Sequence, residues 1–152
     1  MSSLFVGLHA LAAVVWVGGM FFAYMILRPA AGALEPPQRL RLWDDVFRRF
    51  FLWVWIAVVA LPATGYAQVF LDFGGFAEAG PHVQIMHALA WVMIALFLFL
   101  YFAPYRAYRR AVADARWPDA GARLSTIRRI VAINMVLGLV TAAIGASGRL
   151  WS

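Results

Sequence analysis

Two histidines, His9 and His87, sit inside long uncharged apolar runs. Ionisable groups are rare in such runs because hydrocarbon solvates them badly, so each invites a functional explanation. Each lies about the same distance from the start of its run. At about 1.5 Å of rise per residue, both fall roughly 7 to 9 Å below one face of a bilayer. Two neutral imidazoles at one depth can hold a metal through their ring nitrogens, and copper and iron both accept that donor. His82 stands beside Pro81 at the water interface and is a third candidate metal ligand. Met20 and Met86 add soft thioethers of the kind that favours Cu(I). Zinc suits the set less well, since no third and fourth ligand is evident and the chain has no cysteine. The plainer reading of the same residues is a pair of separate interhelical hydrogen bonds.

The elements that must carry these side chains follow from composition. The chain has 152 residues, 64% of them hydrophobic and 13% charged, with a mean hydropathy of +0.79. That balance excludes an ordinary soluble domain. Four apolar segments, at about residues 4–27, 50–71, 83–102 and 130–147, meet the length of roughly 17 to 25 residues that a spanning helix needs. They predict one all-α transmembrane domain over residues 1–152, an integral membrane four-helix bundle. No basic residue precedes Arg28, so the first run lacks the basic start of a signal peptide and reads as a retained helix.

The net charge of +6 would suggest nucleic acid in a soluble protein, but the placement of the arginines points instead to the lipid bilayer. The first connection carries Arg28, Arg39, Arg41, Arg48 and Arg49. The third carries seven more arginines, whereas the second, from Asp72 to His82, has no basic residue. By the positive-inside rule, connections one and three are cytoplasmic and both termini are periplasmic, in a bacterial inner membrane. Leu40, Trp43, Phe47 and Phe50 recur at helical spacing ahead of the second run. They predict either an interfacial amphipathic helix on the cytoplasmic surface or a plain extension of helix two. Pro62 predicts a kink. Pro118, Asp119 and Gly121 predict the turn before helix four.

Helical geometry then groups the candidates. His9, Trp16 and Met20 fall on one stripe of helix one, and Trp91 shares the His87 face of helix three. Helix four presents Asn134, Gly138, Thr141, Gly145 and Gly148 at helical spacing. Such a stripe serves close helix packing of the small-xxx-small kind, and also makes a groove for the flat edge of a macrocycle. In the second reading Asn134 is a polar contact, and Arg149 meets an anionic group such as a propionate. Asp72 and Glu78 read as ordinary loop carboxylates, and no catalytic acid or base pair lies in the membrane.

The opening Leu8-His9-Ala10-Leu11, with six residues between His9 and Trp16 and then Gly18-Gly19, resembles the first helix of CopD-domain membrane proteins of bacterial copper resistance. It also resembles their HemJ-like relatives, the membrane protoporphyrinogen oxidases. Met86-His87 and the four-helix layout extend the likeness over most of the chain. In HemJ-like proteins the histidine matching His9 is implicated in binding haem b, and a His-x-Lys pair stands on helix three. Here His87 matches the histidine and Leu89 replaces the lysine, so oxidase activity is not expected.

Three functions follow. The first is a membrane redox protein holding haem b between His9 and His87, walled by Trp16 and Trp91, with Asn134 and Arg149 as further contacts. The second is a copper transport or homeostasis protein using His9, His87, His82 and Met20. The third is a structural or assembly subunit without a cofactor. The expected partners are a redox protein or a copper chaperone, with a homo-oligomer as a further option.

Overall fold

The computed structural model describes residues 2–148. Four helical rods make up the fold: α1 (Ser3–Ala33), α2 (Pro36–Asp72), α3 (Pro81–Ala113) and α4 (Trp117–Ser147), each long and apolar enough to cross a membrane. Among the described residues there is no strand. The chain is thus an all-α, multi-pass membrane bundle.

At about 1.5 Å per residue, α2 runs to roughly 55 Å, well beyond a hydrocarbon core of about 30 Å. Its surplus lies at the arginine-rich end. There Leu40, Trp43, Phe47 and Phe51 form one buried stripe. The segment proposed as an interfacial helix is therefore the first four turns of α2, and the extension reading is the one observed. The reason is that its apolar face has protein partners. Phe47 stacks on Phe51 and meets the rings of Tyr105 and Tyr108 edge-on. The fully buried Tyr108 hydroxyl donates to the Leu40 carbonyl, and Leu124 and Ile127 of α4 complete the core.

Two prolines are absorbed by widened turns. Residues Phe22–Leu27 of α1, just ahead of Pro29, and Tyr101–Tyr105 of α3, around Pro104, are π-helical. A proline lacks the donor for the i−4 carbonyl and crowds it, and a wider turn relieves both problems without ending the helix. Pro62 lies inside α2, which continues to Asp72. The turn before α4 comes earlier than Pro118: it is Asp114–Arg116, where Ala115 has φ 53°. Arg116 N–H donates to Ala111 O at 2.8 Å and Ala115 N–H to Val112 O at 3.1 Å, a Schellman stop. Pro118 instead occupies the first turn of α4. At the other end, Gly74 and Gly75 adopt φ of 77° and 128° and make the tight return between α2 and α3.

Close pairing runs α1 with α2, α3 with α4, and α1 with α4. Between α2 and α3 the space is bridged by large rings instead: Trp55 and Phe51 meet Phe97 and Tyr101 at centroid distances of 5.3 to 6.1 Å.

Candidate functional site

The candidate ligands gather at the end opposite the arginines, where α1 lies on α2. His9 Nδ1 is 2.8 Å from Thr64 Oγ1. The Thr64 hydroxyl is in turn 2.6 Å from the Ala60 carbonyl and 3.3 Å from that of Leu61. A hydroxyl has one proton, and the shorter contact takes it, so Thr64 donates to its own helix and accepts from His9 Nδ1–H. With that proton arrangement the ring's lone pair falls on Nε2, the arrangement an outer partner imposes on a metal-binding histidine. Gly65 makes room for the ring: a Cβ there would stand 3.3 Å from His9 Cε1. One turn on, the Gln68 amide donates to Thr64 O at 3.2 Å and to Phe5 O across the interface at 3.5 Å.

His87 has different surroundings. Its ring lies 5.4 Å from that of Tyr66, 5.0 Å from Phe76 and 6.3 Å from Trp91. Both imidazoles thus meet the same turn of α2, His9 at Thr64 and Gly65, His87 at Tyr66. Successive residues of a helix point about 100° apart, so the two contacts lie on different sides of that turn. The structure brings the histidines to one level and gives each its own partners.

His82 and Met86 are four residues apart on α3 and lie against the glycines of α4. A Cβ on Gly148 would come 2.5 Å from His82 Cδ2, and one on Gly145 would come 3.1 Å from Met86 Cε and 3.4 Å from its Sδ. Further along, a Cβ on Gly138 would be 2.7 Å from Val17 Cγ2 and 3.1 Å from Met93 Cε. Each of these glycines therefore already receives a side chain. The groove reading of this stripe is corrected to close packing, because the space for a macrocycle edge is taken by His82, Met86, Met93 and Val17. Thr141 bonds within its own helix, to Leu137 O.

The other candidates are dispersed. Trp16 is buried edge-on to Phe97 at 6.3 Å, two turns below His9. Trp91 is 48% exposed, an outward flank of His87. Buried Asn134 donates from Nδ2 to Met93 O at 3.1 Å and pins α4 to α3, while its Oδ1 has no partner. Met20 is buried eleven residues beyond His9, about 16 Å along the axis. At that separation it cannot share an ion with His9. Met86, the other thioether candidate, is the methionine at the histidine level. Arg149 lies outside the described residues. Among the described residues no three His, Cys, Asp or Glu side chains converge on a point.

The sequence pattern of one family, described as Copper resistance protein D, matches residues 44–147, which is α2 from Asp44 to the end of α4. The chain belongs to the CopD family. The matched region holds Thr64, His82, Met86 and His87, and begins after His9. An uncharacterized protein of Aquifex aeolicus (strain VF5) is 34% identical over 77 residues, which are 50% of this chain and 53% of that relative. The chain thus spans about half the length of the curated relative it matches. No solved structure matches. As a CopD protein, the chain is a multi-pass membrane protein related to copper resistance.

Proposed function

We propose that this CopD protein handles copper as its cargo, taking Cu(I) at the end of the bundle opposite the arginines. The observation that supports this reading is the contact of His9 Nδ1 with the Thr64 hydroxyl, itself bonded to Ala60 O, a chain that directs the Nε2 lone pair to a metal. Met86 supplies the soft sulfur that copper prefers, and His82 and His87 supply further imidazoles at the same end of α3. Met20 plays no part in this site. The distribution of arginines favours a periplasmic position for that end in a bacterial inner membrane, with both termini on the same side. A periplasmic copper chaperone is the partner this placement suits.

Haem b between His9 and His87 does not fit the residues present. The glycines that would admit a porphyrin edge are covered by side chains, and Asn134 is engaged with the Met93 carbonyl.

The test is purification of the full chain in detergent under reducing conditions, loading with Cu(I), and elemental analysis beside an absorption spectrum. The expected protein holds copper and has no Soret band. His9→Ala should lose most of the copper and Met86→Ala should weaken its retention. A full complement of copper in His9→Ala, or a Soret band in the wild type, overturns the reading.

A further inference from the structure

The arginine-rich end holds a cleft that the copper site does not use. It lies where α1, α2 and α4 meet, beside the π-turn of α1. Its floor is apolar, with Ala23, Phe50, Phe51 and Val131 among its lining, and Arg28 and Arg128 stand at its rim. Both arginines mark the edges of apolar runs, Arg28 just after Leu27 and Arg128 just before Ile130. That is the level at which lipid headgroups meet a bundle.

Behind the apolar wall of this cleft, two enclosed donors have no acceptor. Trp43, only 3% exposed, has no partner for its indole Nε1–H, and the Nε–H of Arg128 has none either. No carboxylate pairs with Arg28, Arg39 or Arg128 among the described residues. Arg28 lies over the Tyr24 ring at 4.8 Å and Arg128 over the Trp43 ring at 5.8 Å, so the guanidiniums are held at the cleft by aromatic faces.

We propose that this cleft binds one anionic phospholipid, its phosphate on the rim guanidiniums of Arg28 and Arg128 and an acyl chain along the apolar floor. Charge selects the lipid class. A zwitterionic headgroup would bring an ammonium beside two guanidiniums, whereas an anionic headgroup adds only acceptors. The floor selects a lipid over a free anion, since phosphate gains nothing from phenylalanine and valine.

Native mass spectrometry of the full chain, with thermal melting, tests this against phosphatidylglycerol, phosphatidylcholine and inorganic phosphate in turn. The wild type should retain one phosphatidylglycerol and melt higher with it. Arg28→Gln and Arg128→Gln should each weaken retention about tenfold or more. Arg110→Gln, outside the cleft, should retain the lipid as the wild type does. Arg28 is exposed, so Arg28→Gln carries the test should Arg128→Gln fail to fold. Equal retention of phosphatidylcholine, undiminished retention in Arg28→Gln, or a melting rise reproduced by phosphate alone overturns the proposal.

Discussion

Replacing Thr64 with valine isolates the proton arrangement on which the copper reading stands. Valine keeps the shape of threonine and removes the oxygen. Thr64 is 6% exposed, so little water reaches the place of the lost hydroxyl. His9 Nδ1 then loses its acceptor. An unmade buried hydrogen bond costs about 1 to 3 kcal/mol, and interhelical bonds in membranes average nearer 0.6 kcal/mol. The fold should therefore survive with a modest loss of melting temperature. The effect on the metal is larger, because an outer partner that fixes a ligating histidine changes affinity about 10- to 100-fold. We expect Thr64→Val to bind Cu(I) 10- to 100-fold more weakly, and Thr64→Ser, which keeps the hydroxyl, to bind as the wild type does. Competition with a chromophoric Cu(I) chelator, run without oxygen, reads this directly. The opposite proton arrangement, with Thr64 donating to Nδ1, predicts the opposite sign. Valine would then release a lone pair on Nδ1, and binding would hold or strengthen. Wild-type or tighter binding by Thr64→Val, beside a His9→Ala that fails to bind, refutes the relay.

Three further outcomes concern packing, each read as a melting temperature in detergent. A Cβ on Gly19 would lie 2.2 Å from Phe50 Cε2, whereas one on Gly18 would meet nothing within 4 Å. Gly19→Ala should lose about 1 to 3 kcal/mol by overpacking, and Gly18→Ala should be neutral or slightly stabilising because it removes a helical glycine. Gly138→Ala should cost more than Gly145→Ala, since it meets the stiff branch of Val17, while the flexible end of Met86 can move aside. Ala115→Gly should stabilise by about 0.5 to 1 kcal/mol, because a left-handed turn costs an L-residue about 1 to 2 kcal/mol and glycine gives back part of that as chain entropy. No change in melting would contradict the Schellman assignment.

What could be read from the chain follows what a single helix can reveal. The four apolar runs are long, so their number and type were legible, and so was the family. The ends of α2 and α4 were not, because a stripe such as Leu40–Trp43–Phe47 looks the same whether lipid or protein covers it. Tyr105, Tyr108 and Ile127 decide that question, and they lie far away in sequence. The glycine stripe of α4 was legible as small residues, but its meaning depends on what leans into it. Val17, Met86 and His82 come from other helices. Thr64 was missed although a signal was present: Thr64, Gly65 and Gln68 interrupt an apolar run within a little over one turn. Pro29 and Pro104 were visible, but the π-turns that accommodate them depend on the surrounding packing.

The distribution of burial gives the copper reading a further consequence. No residue from 3 to 15 of α1, from 80 to 92 of α3 and the turn before it, or from 139 to 147 of α4 is buried, whereas the core crowds towards the arginine-rich end. The helices at the histidine end are held by a few polar contacts, Thr64 with His9 and Gln68 with Phe5, and by side chains resting on glycines. Segments with few buried apolar contacts open first. An ion ligated there by α1 and α3 would tie together the two rods that pair least closely, and stabilise the bundle by about 2.7 kcal/mol at a hundredfold excess over Kd. Hydrogen exchange in detergent should therefore show Cu(I) slowing amides in residues 3–15 and 82–92, with residues 93–111 unchanged because their rings already lock them. Protection spread evenly over the chain would mean that copper acts by a general effect on the fold, and protection confined to α3 would remove His9 from the site.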